Sequence, residues 1–244
     1  MRFASPAVDY RRFRFSKLNT PEYRHLKLLL YWPVFGLFFL TVERLWVRAN
    51  YIPISCPLDD KIPFCELFLI PYLFWFLFLV GIHLYTLLYD VESFRWIMKF
   101  IMLTYSAAML IYILFPNCQE LRPVAFPRDN LFTRFLAGLY QFDTNTNVCP
   151  SIHVIGSVAV ALCAWHSPRL STPGWRIVFT AAAVLISLST VFLKQHSVLD
   201  ILAALPICAA AYFLVYRPKT KNTKICYLYH VADRRSDAVQ RPKT

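Results

Sequence analysis

A chain of 244 residues with 57% hydrophobic residues and a positive mean hydropathy is too apolar for an ordinary water-soluble domain. Its net charge of +12 would suit a nucleic-acid binder, but the basic residues gather at the two ends of the chain and flank apolar runs, which argues against that partner. A membrane protein remains, because each crossing of a bilayer core about 30 Å thick takes roughly 20 apolar residues and the chain offers several such runs.

In chain order, residues 1–27 carry Arg2, Arg11, Arg12, Arg14, Lys17, Arg24 and Lys27. The alternation of Arg with aromatic residues in YRRFRFSK suits a segment lying on an anionic lipid surface. The first apolar run covers residues 28–46, and since no small-residue cleavage site follows it, it is expected to stay in the chain. Further spans are predicted over residues 65–89, 95–115, 151–165, 175–193 and 198–216, which makes six, the fourth short and the last two nearly fused. The long connection 116–150 contains NLFTRFLAGLYQ, in which Phe132, Phe135, Leu136, Leu139 and Tyr140 recur at helical spacing. A short interfacial helix is predicted there, either roofing a site or merely covering the ends of the bundle. Behind the last span, residues 217–244 hold Arg217, Lys219, Lys221, Lys224, Arg234, Arg235, Arg241 and Lys243. The chain thus reads as one all-α polytopic domain, residues 28–216, a six-transmembrane-helix bundle between two basic cytoplasmic segments, 1–27 and 217–244.

Cytoplasmic flanks retain Lys and Arg during insertion, so an even number of spans with both ends basic places both termini in the cytoplasm of a multi-pass cell-membrane protein. The connection 116–150 then faces outward. Cys56, Cys65, Cys118 and Cys149 fall in or beside the outward connections, where oxidation is permitted; free thiols and disulfides both remain open, with Cys118–Cys149 the preferred pairing. No CxxC or HxxxH spacing occurs, so no metal site is expected.

Chemistry concentrates in three stretches: FPNCQELRPV with Arg122, CPSIHV with Ser151 and His153, and STVFLKQHSVLD with Lys194, His196 and Asp200. All three lie on one side of the membrane in this topology. Ionisable groups there are costly unless paired or lining a polar cavity, so two histidines, an aspartate, an arginine and a lysine at one face point to function. The isolated His83 and His166 are expected to be structural.

Arg122–Pro123, the Pro150–His153 tetrapeptide PSIH, and Ser189, His196 and Asp200 in S-x6-H-x3-D resemble, in order and spacing, the three signature motifs of the type 2 phosphatidic acid phosphatase and haloperoxidase superfamily. KQHSVLD and DTNTNVCPSIHV are similar in form to the branch containing inositol phosphorylceramide synthases. The resemblance covers roughly residues 70–216. It implies a six-helix bundle with an extracytoplasmic site that removes or transfers a phosphate group on a lipid phosphate or diphosphate, with no metal and no other cofactor.

It further implies that His196 attacks phosphorus to give a phosphohistidine, and that Asp200 orients and stabilises its imidazole. His153 then protonates the departing alkoxide and activates the incoming water or alcohol. Arg122 can grip two phosphoryl oxygens, and Pro150 can open a helix whose first amides, with Ser151, face the anion. The sequence departs from the family pattern at Phe115, where a lysine is usual, at Ile152, where glycine is usual, and at Thr190, where an arginine is usual. If the fifth span stays helical to Lys194, that residue shares a face with Thr190 and either brings an ammonium to the phosphate or snorkels to the interface. The expected partners are membrane lipids and the lipid phosphate substrate, with no nucleic acid. The alternative is a non-catalytic lipid carrier or transporter with the same bundle, against which the intact His153, His196 and Asp200 count.

Overall fold

The structure, a computed structural model, describes residues 6–217. It is mostly helical. The helices are α1 (Tyr31–Leu40), α2 (Pro57–Lys61), α3 (Leu69–Tyr89), α4 (Val91–Leu114), α5 (Leu131–Phe142), α6 (Ile152–His166), α7 (Pro173–Phe192) and α8 (Val198–Val215). Two short strands, β1 (Ile52–Pro53) and β2 (Asn117–Cys118), pair in parallel.

Local chemistry sets the helix starts. The Asp90 carboxylate accepts the Ser93 amide to open α4, Asn130 and Thr133 form a capping box for α5, Pro173 occupies the first turn of α7, and Ser197 and Asp200 form a capping box for α8. Tighter turns over Arg24–Leu30 and wider ones over Thr41–Leu45 prolong α1 in both directions, giving an apolar helical stretch of 22 residues, Arg24–Leu45.

Five stretches are long and apolar enough to cross a membrane: Arg24–Leu45, Glu66–Tyr89, Val91–Leu114, Pro173–Phe192 and Val198–Val215. The fourth of the six expected spans is α6, apolar but only 15 residues long. At 1.5 Å per residue it reaches about 22 Å, short of a full crossing. It occupies the middle of the bundle, packed on α3, α4, α7 and α8. Gly156, Ser157, Ala159 and Ala164 are among its buried residues, small side chains of the kind that let helices approach closely. Ile97, Phe100, Ile101, Ile155 and Val160 form the centre of the core, all fully buried.

The outer faces are apolar as well. Val34, Leu37, Leu77, Val80, Ile177 and Leu214 are all exposed, and α1 buries no residue of its own. Such faces belong against lipid tails.

The predicted interfacial helix is α5. Leu136 is fully buried against Leu69, Tyr72 and Leu193, while Leu131 and Phe142 stay exposed. It covers the ends of α3 and α7 that meet the connection 116–150. At the opposite end of the bundle, Tyr10 donates to the Leu87 carbonyl (2.6 Å) and shares a hydrogen bond with His25 (2.8 Å), pinning the basic N-terminal segment to the end of α3. Arg2 and the basic residues after Arg217 lie outside the described residues. Cys56, Cys65, Cys118 and Cys149 are free thiols, so the preferred Cys118–Cys149 pairing is not formed, nor is any other among the four.

Candidate active site

Where α4 ends and α6 and α8 begin, three connections meet. His196 precedes α8, and Asp200 sits one turn into it, so the helical rise brings the Asp200 Oδ2 to 2.9 Å from His196 Nδ1. The same oxygen accepts the Ser197 amide at 3.0 Å. With Nδ1 committed to Asp200, Nε2 is the nitrogen left for chemistry.

His153 enters from the first turn of α6. Its ring centroid is 5.6 Å from that of His196, with Tyr72 and Trp75 at 4.6 and 4.4 Å on α3. Its Nδ1 is buried with no hydrogen-bond partner. Both histidines line a small polar cavity, together with Tyr112, Thr146, Asn147 and Gln195. The cavity is small, about 30 Å³, room for a water or two.

The loop before His153 is tightly fixed. Asn117 Oδ1 accepts the amides of Val148 and Cys149 at 2.9 and 2.8 Å, and Tyr112 donates to the Pro150 carbonyl at 2.6 Å. Ser151 caps α6 through a long 3.5 Å contact from the Val154 amide. Its own amide is spent on the Asp200 carbonyl at 3.2 Å, so it links the two histidine-bearing segments instead of standing free for an anion.

Arg122 lies beside the site, with its fork already occupied. It donates to the carbonyls of Tyr140, Asp143 and Thr144, each at 2.9 Å, and to Gln195 Oε1 at 2.5 Å, and it stacks over the Tyr140 ring at 4.4 Å. Burial lowers its pKa and the nearby Asp143 opposes that.

Lys194 is placed differently from the expectation. Helix α7 ends at Phe192 and Lys194 takes a left-handed φ of 53°, so Lys194 and Thr190 do not share a helix face. Its ammonium donates to the carbonyls of Asp59 and Ile62, both at 2.6 Å, and clamps the loop. Arg128 and Arg134 are engaged at the surface with Glu66 and Asp129.

Two buried carboxylates escape a reading of the motifs. Asp59, 2% exposed, accepts Ser197 Oγ (2.6 Å), the Val198 amide (2.8 Å) and the Cys56 amide (2.8 Å), holding the segment that carries His196. Glu43, at the end of the first apolar stretch, accepts the hydroxyls of Thr144 and Thr146 and the Asn147 amide, the last at 2.9 Å. The Cys-Pro-x-Asp capping pattern around α2 is a sequence signal for Asp59; Glu43 and Gln195 have none, because their partners lie about a hundred or about seventy residues away. Among the described residues, no cluster of three or more His, Cys, Asp or Glu side chains is placed to hold a metal ion.

A helical bundle with lipid-facing apolar helices, converging a His–Asp pair and a second histidine on one cavity, defines a membrane protein with a histidine-based site. The family model of the PAP2 superfamily matches residues 96–224, more than half of the chain, and the chain belongs to that superfamily. Membership implies phosphatase or phosphotransferase chemistry in general. Comparison with curated proteins and with solved structures finds no match for the chain.

Proposed function

We propose that this protein is an integral membrane lipid-phosphate phosphatase or phosphotransferase working through a phosphohistidine. The observation that carries the reading is the His196–Asp200 hydrogen bond, which leaves Nε2 of His196 in the cavity lined by His153. The Nε2 lone pair attacks phosphorus while the ester P–O bond breaks, and the leaving oxygen takes a proton from His153. Water or an alcohol then gives its proton to His153 and attacks phosphorus, and the N–P bond breaks. Asp200 stabilises the imidazolium-like charge that develops on His196.

Phosphoryl transfer spreads negative charge over the equatorial oxygens, and positioned donors meet it. The proposed set is the first amides of α6, the Ser151 hydroxyl and Arg122, with Arg122 acting from behind Gln195. Lys194 enters as a clamp on the nucleophile's loop. These groups supply the charge without a metal, and activity should be unchanged by chelators; loss in chelator with recovery on adding a divalent ion would count against it.

The motif forms KQHSVLD and DTNTNVCPSIHV support a place beside the inositol phosphorylceramide synthase-like branch, acting on a lipid phosphate or diphosphate. Two basic ends on one side require an even number of crossings, which supports the short α6, completed by its flanking residues, as a sixth beside the five long helices, with both ends cytoplasmic and the site extracytoplasmic.

The deciding experiment measures phosphate release by purified protein from phosphatidic acid, phosphatidylglycerol phosphate and polyprenyl diphosphate, with and without an alcohol acceptor. His196→Ala should lower the rate at least about 1,000-fold, roughly 4 kcal/mol of transition-state stabilisation, while leaving the protein folded. Near-normal turnover in that variant would sink the mechanism.

A further inference from the structure

We propose that Gln195 is a catalytic residue: its side-chain amide donates to a phosphoryl oxygen of the substrate and carries the positive charge of Arg122 into the cavity. The proposal rests on the phosphoryl-transfer reading above and adds a residue to it.

Gln195 is 3% exposed and lines the same cavity as His153 and His196. Its orientation is set by chemistry. Arg122 Nη2 lies 2.5 Å from Oε1, and a guanidinium can only donate, so the carboxamide oxygen faces the arginine and the NH2 faces away. That Nε2 is buried with no hydrogen-bond partner. Buried donors are rarely left unpaired in a folded protein, and one held so at a cavity shared by two histidines marks a place where an acceptor arrives. The backbone fixes it further: the amides of Gln195 and His196 both donate to the Thr190 carbonyl, at 2.9 and 3.1 Å, so the donor and the proposed nucleophile move as one unit.

Electrostatics point to an anionic acceptor. A charged donor on Oε1 polarises the amide and strengthens the N–H groups on the other side. Arg122, tied to the carbonyls of Tyr140, Asp143 and Thr144, therefore need not release them to act on the phosphate. Its charge is relayed through one rigid carboxamide, and a non-bridging oxygen of the phosphoryl group passing from the leaving group to His196 would accept from it.

The test compares Gln195→Glu with Gln195→Ala in the full chain, reading kcat/KM for phosphate release, inhibition by inorganic vanadate, and thermal unfolding. Glu keeps the acceptor that faces Arg122 but replaces the NH2 by an oxygen that repels phosphate. Gln195→Glu should unfold no earlier than wild type, yet lose at least about 100-fold in kcat/KM and bind vanadate at least about tenfold more weakly, and it should be the less active of the two variants. Its activity relative to wild type should recover in part at acid pH, where the protonated carboxyl regains a donor. If Gln195→Glu is more active than Gln195→Ala, or keeps kcat/KM within about threefold of wild type, the amide serves only to hold Arg122 and the proposal falls. If wild type itself releases no phosphate and is insensitive to vanadate, the phosphoryl-transfer reading falls first.

Discussion

Cys149 sits immediately before the PSIH tetrapeptide, and burial, together with the neighbouring Asp200 carboxylate, pushes its thiol pKa up to about 12. The thiolate is the reactive species, so near neutral pH almost none is present. Maleimide at pH 7.5 should leave Cys149 unlabelled in the folded protein and label it in denaturant; rapid labelling of the native chain would contradict the burial. Burial raises the pKa of Asp59, but the hydrogen bonds from Ser197, the Val198 amide and the Cys56 amide outweigh that and hold it below the ordinary 3.8. A depressed carboxyl contributes stability that is fully present above its unfolded value and is lost as pH falls through the folded one. Asp59→Asn should therefore cost about 2 kcal/mol at neutral pH and show less acid-induced loss below about pH 4 than wild type, as read from unfolding midpoints. The histidines, Asp200 and Ser151 were visible in the sequence because a helix start fixes their spacing locally. Gln195 and Glu43 were not, because nothing in their own neighbourhood distinguishes them from a solvated polar residue until the chain folds.

Among the elements, α6 and α5 contrast. Helix α6 packs so closely on α3 and α4 that a Cβ on Gly156 would come within 2.7 Å of the Tyr105 hydroxyl and 3.0 Å of Trp75 Nε1. Tyr105 is held by its contact to the Ile152 carbonyl at 3.3 Å, and Trp75 packs at a tilt against His153. Gly156→Ala should cost about 1–3 kcal/mol and lower turnover by disturbing His153, whereas an alanine at exposed Gly138, with open space around it, should leave turnover unchanged. Helix α5 buries only Thr133 and Leu136. Local opening follows the number of buried contacts, so hydrogen exchange should be at least about 100-fold faster in α5 than in α6, and equal protection would contradict so light an anchoring. Hydropathy and periodicity located α3, α4, α5, α7 and α8 to within a few residues, since each is long or strongly patterned. The shortness of α6 was also legible. The stop at Phe192 was not: Lys194 leaves the helix through a left-handed backbone conformation, and no Gly or Pro announces it.

Across the whole molecule, the segment shared with the superfamily, residues 96–224, carries both histidines, but two carboxylates that help to hold their loops come from earlier in the chain. Glu43 fixes the loop before His153 and Asp59 fixes the loop of His196. Glu43→Ala should lower kcat/KM through the displaced loop at least about tenfold even though Glu43 touches no reacting atom. With both basic ends cytoplasmic, a tag near Asn130 should be reachable only from outside the cell, and one after Thr244 only from the cytoplasm.

The order of synthesis gives Glu43 a second significance. Its hydroxyl and amide partners lie 101 to 104 residues later in the chain. At roughly 5–20 residues per second, the ribosome needs about 5–20 s to make them after the first apolar stretch is complete. Throughout that interval the nascent protein holds a carboxylate at the end of a membrane helix without the protein donors that later bury it, and water at the interface must solvate it instead. A nascent chain arrested before Thr144 should therefore be cleaved or extracted faster than one arrested after Val148. In the arrested short form, Glu43→Gln should restore much of the lost lifetime.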